Sequence, residues 1–185
     1  MKSKGISPTV SSPTVEPALQ FLSQKLGAFT HKAKIPHGKS GMWRKGKQHS
    51  PEDLAEQMTV QEAMAANTAR GHDGFGFALR RESGIGVIDL DDVRDPMTGE
   101  LTSDAARLVR DAQTHCRVSQ SGTGIHIWFL HDDDPALINI CHKHLLIDGT
   151  AGSQIFLGKQ FVCWGAEPLP GTDKHVNSLS KQVKD

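Results

Sequence analysis

The sequence predicts an α+β domain in which helices alternate with short antiparallel strands. Three observations carry that expectation. Segments with apolar residues at helical spacing recur along the chain, short apolar runs rich in β-branched and aromatic residues lie between them, and glycines punctuate the joins. The length of 185 residues suits one domain with one sizeable core. A hydrophobic content of 37%, with no Tyr, is low and assigns part of the chain to segments outside that core.

Met1 to Glu16 is mostly Ser, Thr, Pro and Gly, so ordering it costs more entropy than burial returns; residues 1–16 are expected to form a flexible leader. Leu19, Phe21, Leu22 and Leu26 predict a helix over Ala18 to Leu26, followed by a Gly- and Lys-rich loop from Lys34 to Lys47. Ser50-Pro51-Glu52-Asp53 combines an N-cap, a proline at the first helical position and acids in the first turn. It predicts helix through much of Pro51 to Arg70. Gly74 to Leu79 and Ile85 to Leu90 predict two strands joined by a tight turn. Ser103 to His115 predicts a helix capped by Ser103, and further strands are expected at Ile125 to Leu130, Ser153 to Leu157 and Gln160 to Trp164. The domain proper is thus expected over 17–170, with a polar tail that frays or packs loosely over 171–185.

Lys+Arg and Asp+Glu balance at 21 each, so net charge does not advertise a nucleic-acid partner. The distribution says more. Lys32, Lys34, Lys39, Arg44, Lys45 and Lys47 occur between His31 and Gln48 without one acid, whereas acids crowd from Asp89 to Asp111. A basic surface beside an acidic pocket suits a phosphate-rich substrate held with metal ions, and Lys39, Arg44, Lys45 and Lys47 are the candidate DNA contacts. Cys116, Cys141 and Cys163 are widely spaced, and no signal peptide or long apolar run precedes them, so a reduced cytoplasmic protein with no membrane segment is expected.

Two segments carry chemistry. In Val87-Ile88-Asp89-Leu90-Asp91-Asp92 the two carboxylates Asp89 and Asp91 stand two residues apart on a strand, where side chains at i and i+2 share a face. Adjacent carboxylates repel, and a divalent cation with oxygen ligands relieves that repulsion; Leu90 is expected to face the core behind them. The second segment, Ser119-Gln120-Ser121-Gly122-Thr123-Gly124-Ile125-His126, is a small-residue loop entering a strand. Its glycines let backbone amides approach a ligand, and its hydroxyls and His126 add polar contacts.

The order of hDhD, helix, SGxGxH opening a strand, then a hairpin, resembles the phage- and plasmid-type primase-polymerases of the archaeo-eukaryotic primase superfamily. Lys34-Ile35-Pro36 resembles that domain's Lys-x-Pro element, Gly74 to Leu79 its Gly-rich strand, and Asp148-Gly149 with Ser153 to Val162 occupies the place of its third motif. The resemblance covers roughly Lys34 to Gly165. It implies a two-lobed domain whose RRM-like antiparallel sheet carries the metal site. It further implies metal-dependent primer synthesis or extension on single-stranded DNA in replication of a phage, plasmid or other mobile element. Asp89 and Asp91 would then be catalytic ligands of Mg²⁺ or Mn²⁺. Ser121, Gly122, Thr123, Gly124, His126 and Lys34 would bind the nucleoside triphosphate, with His126 also counted as catalytic. The third metal position, acidic in the family, is Gln154 here, with Asp148 as the alternative and Asp92 a further candidate. Single-stranded template or primer, nucleoside triphosphates and a helicase, to which such a domain can be attached, are the implied partners, and the 185 residues are too few to include that helicase.

His115, Cys116, His131, Cys141, His142 and His144 match no strong zinc template, so zinc is not expected. Two other readings use the same residues. Ile88 to Val93 also fits the signature of haloacid-dehalogenase-type phosphatases, with Asp89 as nucleophile and Asp91 as acid/base, although that reading leaves the SGxGxH loop unexplained. Gln154 and the basic loop equally suit a non-catalytic DNA- or nucleotide-binding module acting in replication initiation. Oligomeric state is not legible.

Overall fold

Helices begin where the chain supplies a start signal and end where a residue adopts a left-handed or extended backbone. The computed structural model describes residues 15–44, 49–132, 138, 152–180 and 183. Pro17 opens α1 (Pro17–Lys25), which buries Ala18, Leu19 and Leu22. The chain returns as an antiparallel hairpin, β1 (Ala28–Lys32) and β2 (Ile35–His37). Its two-residue turn places Ala33 and Lys34 at φ 50° and 63°, a geometry that matches strand twist but strains residues bearing a Cβ. Composition alone points to a loop from Lys34; pairing with β1 outweighs it.

The helical stretch from Pro51 divides into α2 (Pro51–Ala55) and α3 (Val60–Arg70). Met58 is the cause of the break. Its backbone N–H and C=O both pair with Ala28 at 2.9 Å, and its side chain is buried. Thr59 then restarts the helix through a full capping box with Glu62, and Gly71 at φ 61° closes it.

β3 (Gly74–Ala78), a 3₁₀ turn (Arg81–Ser83) and β4 (Ile85–Leu90) follow. The two strands do not form the expected hairpin. β3 pairs with β1 and with β8 (Phe161–Cys163), whereas β4 pairs with β6 (Ile125–Leu130) and β7 (Gln154–Phe156). β7 and β8 likewise separate into different sheets. Leu79 marks the crossing point, exchanging backbone hydrogen bonds with Lys159 and Gln160.

α4 (Ser103–Ala112) is N-capped by Thr102 rather than Ser103, with no side-chain cap bond, and stops at Gln113, φ 52°. The residues beyond it, expected to be helical as far as His115, turn into β5 (Cys116–Val118) because Thr114 donates its hydroxyl to Trp128 O. β9 (Asn177–Ser178) pairs parallel to β6 and buries the flanking Val176 and Leu179, so this part of the polar tail is docked rather than frayed. Glu16, at the end of the expected leader, accepts from Arg117 Nη1 at 2.6 Å and lies 3.0 Å from His115 Nε2.

The result is an α+β fold with two sheets, ordered β2-β1-β3-β8 and β5-β6-β4-β7, with β9 added to β6. Ile85, Val87, Trp128 and Phe156 join a core with α1, α3 and Phe77. Ile88, Leu90, Ile125, Ile127 and Phe129 join a second core that includes Ala105 and Ala112 of α4. The alternation along β4 puts Asp89 on the Ile85/Val87 side, pointing away from α4.

Candidate functional site

Sheet register brings distant sequence motifs into one row. Asp89 stands directly opposite His126 on β6 and opposite Gln154 on β7, and His126 in turn faces Arg117 on β5. Directly opposed residues project from the same face. His126 Nε2 lies 3.3 Å from Asp89 Oδ1. His126 is nearly buried, and its Nδ1 has no hydrogen-bond partner among the described residues.

Asp91 lies just past the end of β4, yet lines the same cavity as Asp89, about 280 Å³ in volume. Lys34, Ser119, Gln120, His126, Phe156, Gln160, Phe161, Val162 and Cys163 complete the wall. The strained β1–β2 turn thus delivers Lys34 to the acidic pair. Burial, then the charges of Asp89 and Asp92, raise the Asp91 carboxyl above the ordinary carboxylate range against the opposing pull of Lys34 and His126. Gly152 approaches the same group: a Cβ there would sit 3.2 Å from Asp91 Oδ2. Leu90 is fully buried behind the pair, as its place in the motif predicts.

The donor set fits a hard divalent cation. Two crowded carboxylates with a neutral amide nearby provide oxygen ligands, and Mg²⁺ is commonly held by one or two protein carboxylates with water and substrate phosphate filling its shell. Among the described residues no cluster of three His, Cys, Asp or Glu side chains forms a self-sufficient metal cage. Asp148, Cys141, His142 and His144 lie outside the described residues, as do Lys45 and Lys47.

The Ser121–Gly124 loop is held by the chain that follows the acidic motif. Arg94 N–H donates to Thr123 O at 2.8 Å, Arg94 Nη1 donates to Gly122 O at 2.9 Å, and Thr123 Oγ1 donates to Asp92 Oδ1 at 3.0 Å. Thr123, Ser121 and Ser119 hydroxyls continue as a chain at 3.0 and 2.9 Å, ending on Gly124 N–H, which donates to Ser119 Oγ at 3.0 Å. Asp92 thus takes part in shaping the loop, and Gln154 is the residue that stands opposite Asp89 on β7.

The basic segment behaves differently from its sequence. Arg44 forms a bidentate, largely buried pair with Asp53 and lies 5.0 Å over the Phe29 ring, so it serves packing. Burial raises the Asp53 carboxyl, but the bonds from Arg44 and the His49 amide outweigh it and leave it lowered. Lys39 pairs with Glu62 at the surface, 3.3 Å apart. The acids that the sequence places beyond Gln48 return through α2 and α3.

Gln120 and Phe161 line the cavity although the motifs that contain them gave them no role, and Cys163 does so from outside any motif; β8 brings Phe161 and Cys163 across from the other sheet. A larger cleft of about 690 Å³ lies between α4 and residues 169–173, but contains no acidic pair. Among the described residues no helix is long and apolar enough to cross a membrane.

An acidic pair ending one strand, a histidine on the next and a glycine-rich hydroxyl loop entering that strand form the pattern by which the sequence resembles phage-type enzymes, and comparison with known proteins bears the resemblance out: the chain belongs to the phage-type primase-polymerase domains. It is 30% identical over 140 residues to the DNA primase-polymerase of Nitratiruptor phage NrS-1. The match covers 76% of this chain and 18% of the phage protein, so the chain spans less than a fifth of that relative. No family model matches the chain.

Proposed function

We propose that this domain transfers nucleotides to the 3′ end of a primer or starting nucleotide on single-stranded DNA, in replication of a phage, plasmid or other mobile element. The observation that carries the reading is the convergence of Asp89, Asp91, Lys34 and His126 on one cavity, beside a loop whose shape is fixed by Asp92 and Arg94. In this reading the two sheets would be the two lobes of such a domain, with the acidic pair carried at the end of β4 in the β5-β6-β4-β7 sheet. The working domain is proposed to be residues 17–170, extended by the docked β9 segment.

In this reading Asp89 and Asp91 hold Mg²⁺ or Mn²⁺. The cations supply neutralisation of the developing negative charge and a lowered pKa of the attacking hydroxyl. The chain's own groups do the rest. Lys34 offsets charge at the mouth of the cavity and draws phosphates there, beside the Ser121–Gly124 loop, whose Gly122, Thr123 and Gly124 amides are bonded within the loop. His126, beside Asp89, presents its ring as a donor to their oxygens.

Gln154 favours one further reading. Standing opposite Asp89 where a carboxylate would complete the ligand set, it suits a domain that binds nucleotide and DNA without extending chains. The phosphatase alternative leaves the Ser121–Gly124 loop without a role and is set aside. Primed and unprimed single-stranded templates, incubated with nucleotides and Mg²⁺ or Mn²⁺, decide between the first two. Elongated products are expected, and Gln154→Glu is expected to raise their yield. Absence of product from both the wild type and Gln154→Glu, with DNA binding intact, would assign the non-catalytic role.

A further inference from the structure

The two sides of the cavity belong to different sheets, and a short hydrogen-bonded relay joins them. Asp73, the residue before β3, grips the β1–β2 turn twice. Its backbone N–H donates to His31 O at 2.9 Å, and its carboxylate accepts the Ala33 N–H at 2.7 Å. Ala33 is the first of the two left-handed residues of that turn and Lys34 is the second. From the other side, Gln120 Nε2 donates to Asp73 O at 3.2 Å. Gln120 is the residue before the Ser121–Gly124 loop, and both it and Lys34 line the cavity. The relay therefore runs from the glycine-rich loop through Gln120 and Asp73 to Ala33 and Lys34.

The turn needs such a contact. Two consecutive residues with a Cβ in left-handed backbone are strained, and both are exposed, so burial of their own side chains contributes little to holding them. A bond from an amide to a carboxylate is charge-assisted, which makes the Asp73 contact an effective offset to that strain. Asp73 is not among the residues that line the cavity, and it carries the wrong sign to contact a phosphate. Its place beside Lys34 is accounted for by the shape of the turn.

We infer that Asp73 and Gln120 are positioning residues for Lys34, and that through them the Ser121–Gly124 loop and the lysine-bearing turn are coupled across the mouth of the cavity. The inference rests on the proposed nucleotidyl transfer and adds to it the device that sets the lysine over the triphosphate. Neither residue touches the substrate.

The test turns on a sign. Removing an acid beside an anion site tightens anion binding if charge alone matters, whereas loss of the relay weakens it. Non-hydrolysable α,β-imido analogues of ATP and dATP would be titrated calorimetrically, with Mg²⁺, into the full chain and its variants. Asp73→Ala is expected to weaken binding of the preferred analogue roughly 3- to 10-fold, the loss of about one hydrogen bond, and Gln120→Ala to act in the same direction. Asp73→Asn, which keeps an acceptor for the Ala33 amide, is expected to restore affinity. Ala33→Gly is expected to restore it within the Asp73→Ala chain, because glycine takes left-handed backbone without strain. In a Lys34→Ala background, Asp73→Ala is expected to add nothing, since it acts through the lysine. Thermal unfolding would establish that the variants fold. Binding by Asp73→Ala as tight as the wild type or tighter, or a full further loss on top of Lys34→Ala, would overturn the relay and leave nucleotidyl transfer standing. No binding of either analogue by the wild type would overturn both.

Discussion

Asp92 takes a left-handed backbone, φ 53°, which costs a residue with a Cβ about 1–2 kcal/mol. The return on that strain is local: the carboxylate accepts the Thr123 hydroxyl and fixes the Ser121–Gly124 loop. Because a carboxylate can only accept, the Thr123 hydrogen points at Asp92, and the Ser121 and Ser119 hydroxyls each have the next oxygen available as acceptor. Thr123→Val removes one link while keeping shape. It is expected to lower triphosphate affinity roughly fivefold, about 1 kcal/mol, with little change in melting temperature, as measured by calorimetric titration and thermal unfolding. Unchanged affinity would show that the loop holds its shape without Asp92. Residues of this kind were only partly legible in the sequence. Asp89, Asp91 and His126 announce themselves because each sits in a short local motif. Asp92 reads as a third acid in a run, and its contact with Thr123 depends on a loop 31 positions away.

Strands show why local pattern is a poor guide to partners. The runs at Gly74 and Ile85 were recognisable as strands from their apolar content, but nothing within them says that one pairs with β1 and β8 and the other with β6 and β7. Their hairpin expectation failed because the 3₁₀ turn and Gly84, φ 69°, redirect the chain between sheets. β2, β5 and β9, of two or three residues, carry too little periodicity to be read, whereas the equally short β7 and β8 lie within apolar runs that mark them. Gly76 illustrates what the pairing demands. A Cβ there would lie 2.3 Å from Val162 O and 2.8 Å from Cys163 Cα, both backbone atoms that cannot step aside. Gly76→Ala is expected to push β3 and β8 apart and to destabilise the fold by about 1–3 kcal/mol. Chemical denaturation would register this as a lower midpoint; an unaltered midpoint would mean that β8 is free to move, and with it Phe161 and Cys163 of the cavity wall.

Across the whole molecule, histidines buried or half-buried in the fold tie stability to pH. Burial is the leading cause that lowers the His31, His72 and His115 pKa values below 6.5, even though Asp73 and Glu16 pull the other way. A lowered histidine pKa means that the unfolded chain binds more protons below pH ~6.5, so stability present above that value is lost as the pH falls toward the folded-state values. The melting temperature is therefore expected to drop as pH goes from ~7.5 to ~5.5; a flat profile would place these rings in a better solvated setting. At this scale the α+β class was legible from composition and alternation. The division into two sheets was not, since it is set by long-range crossings at Leu79 and by docking of Glu16 and Val176 onto the core. The same crossings place Lys34 from one sheet opposite Asp89 and Asp91 from the other. The most direct test of that juxtaposition as a reaction centre is metal-dependent primer extension by the wild type, the Asp89→Ala/Asp91→Ala double variant and Asp92→Ala. Loss of product in the double variant with measurable residual extension in Asp92→Ala is expected; extension that survives the double change would contradict the assignment of the acidic pair.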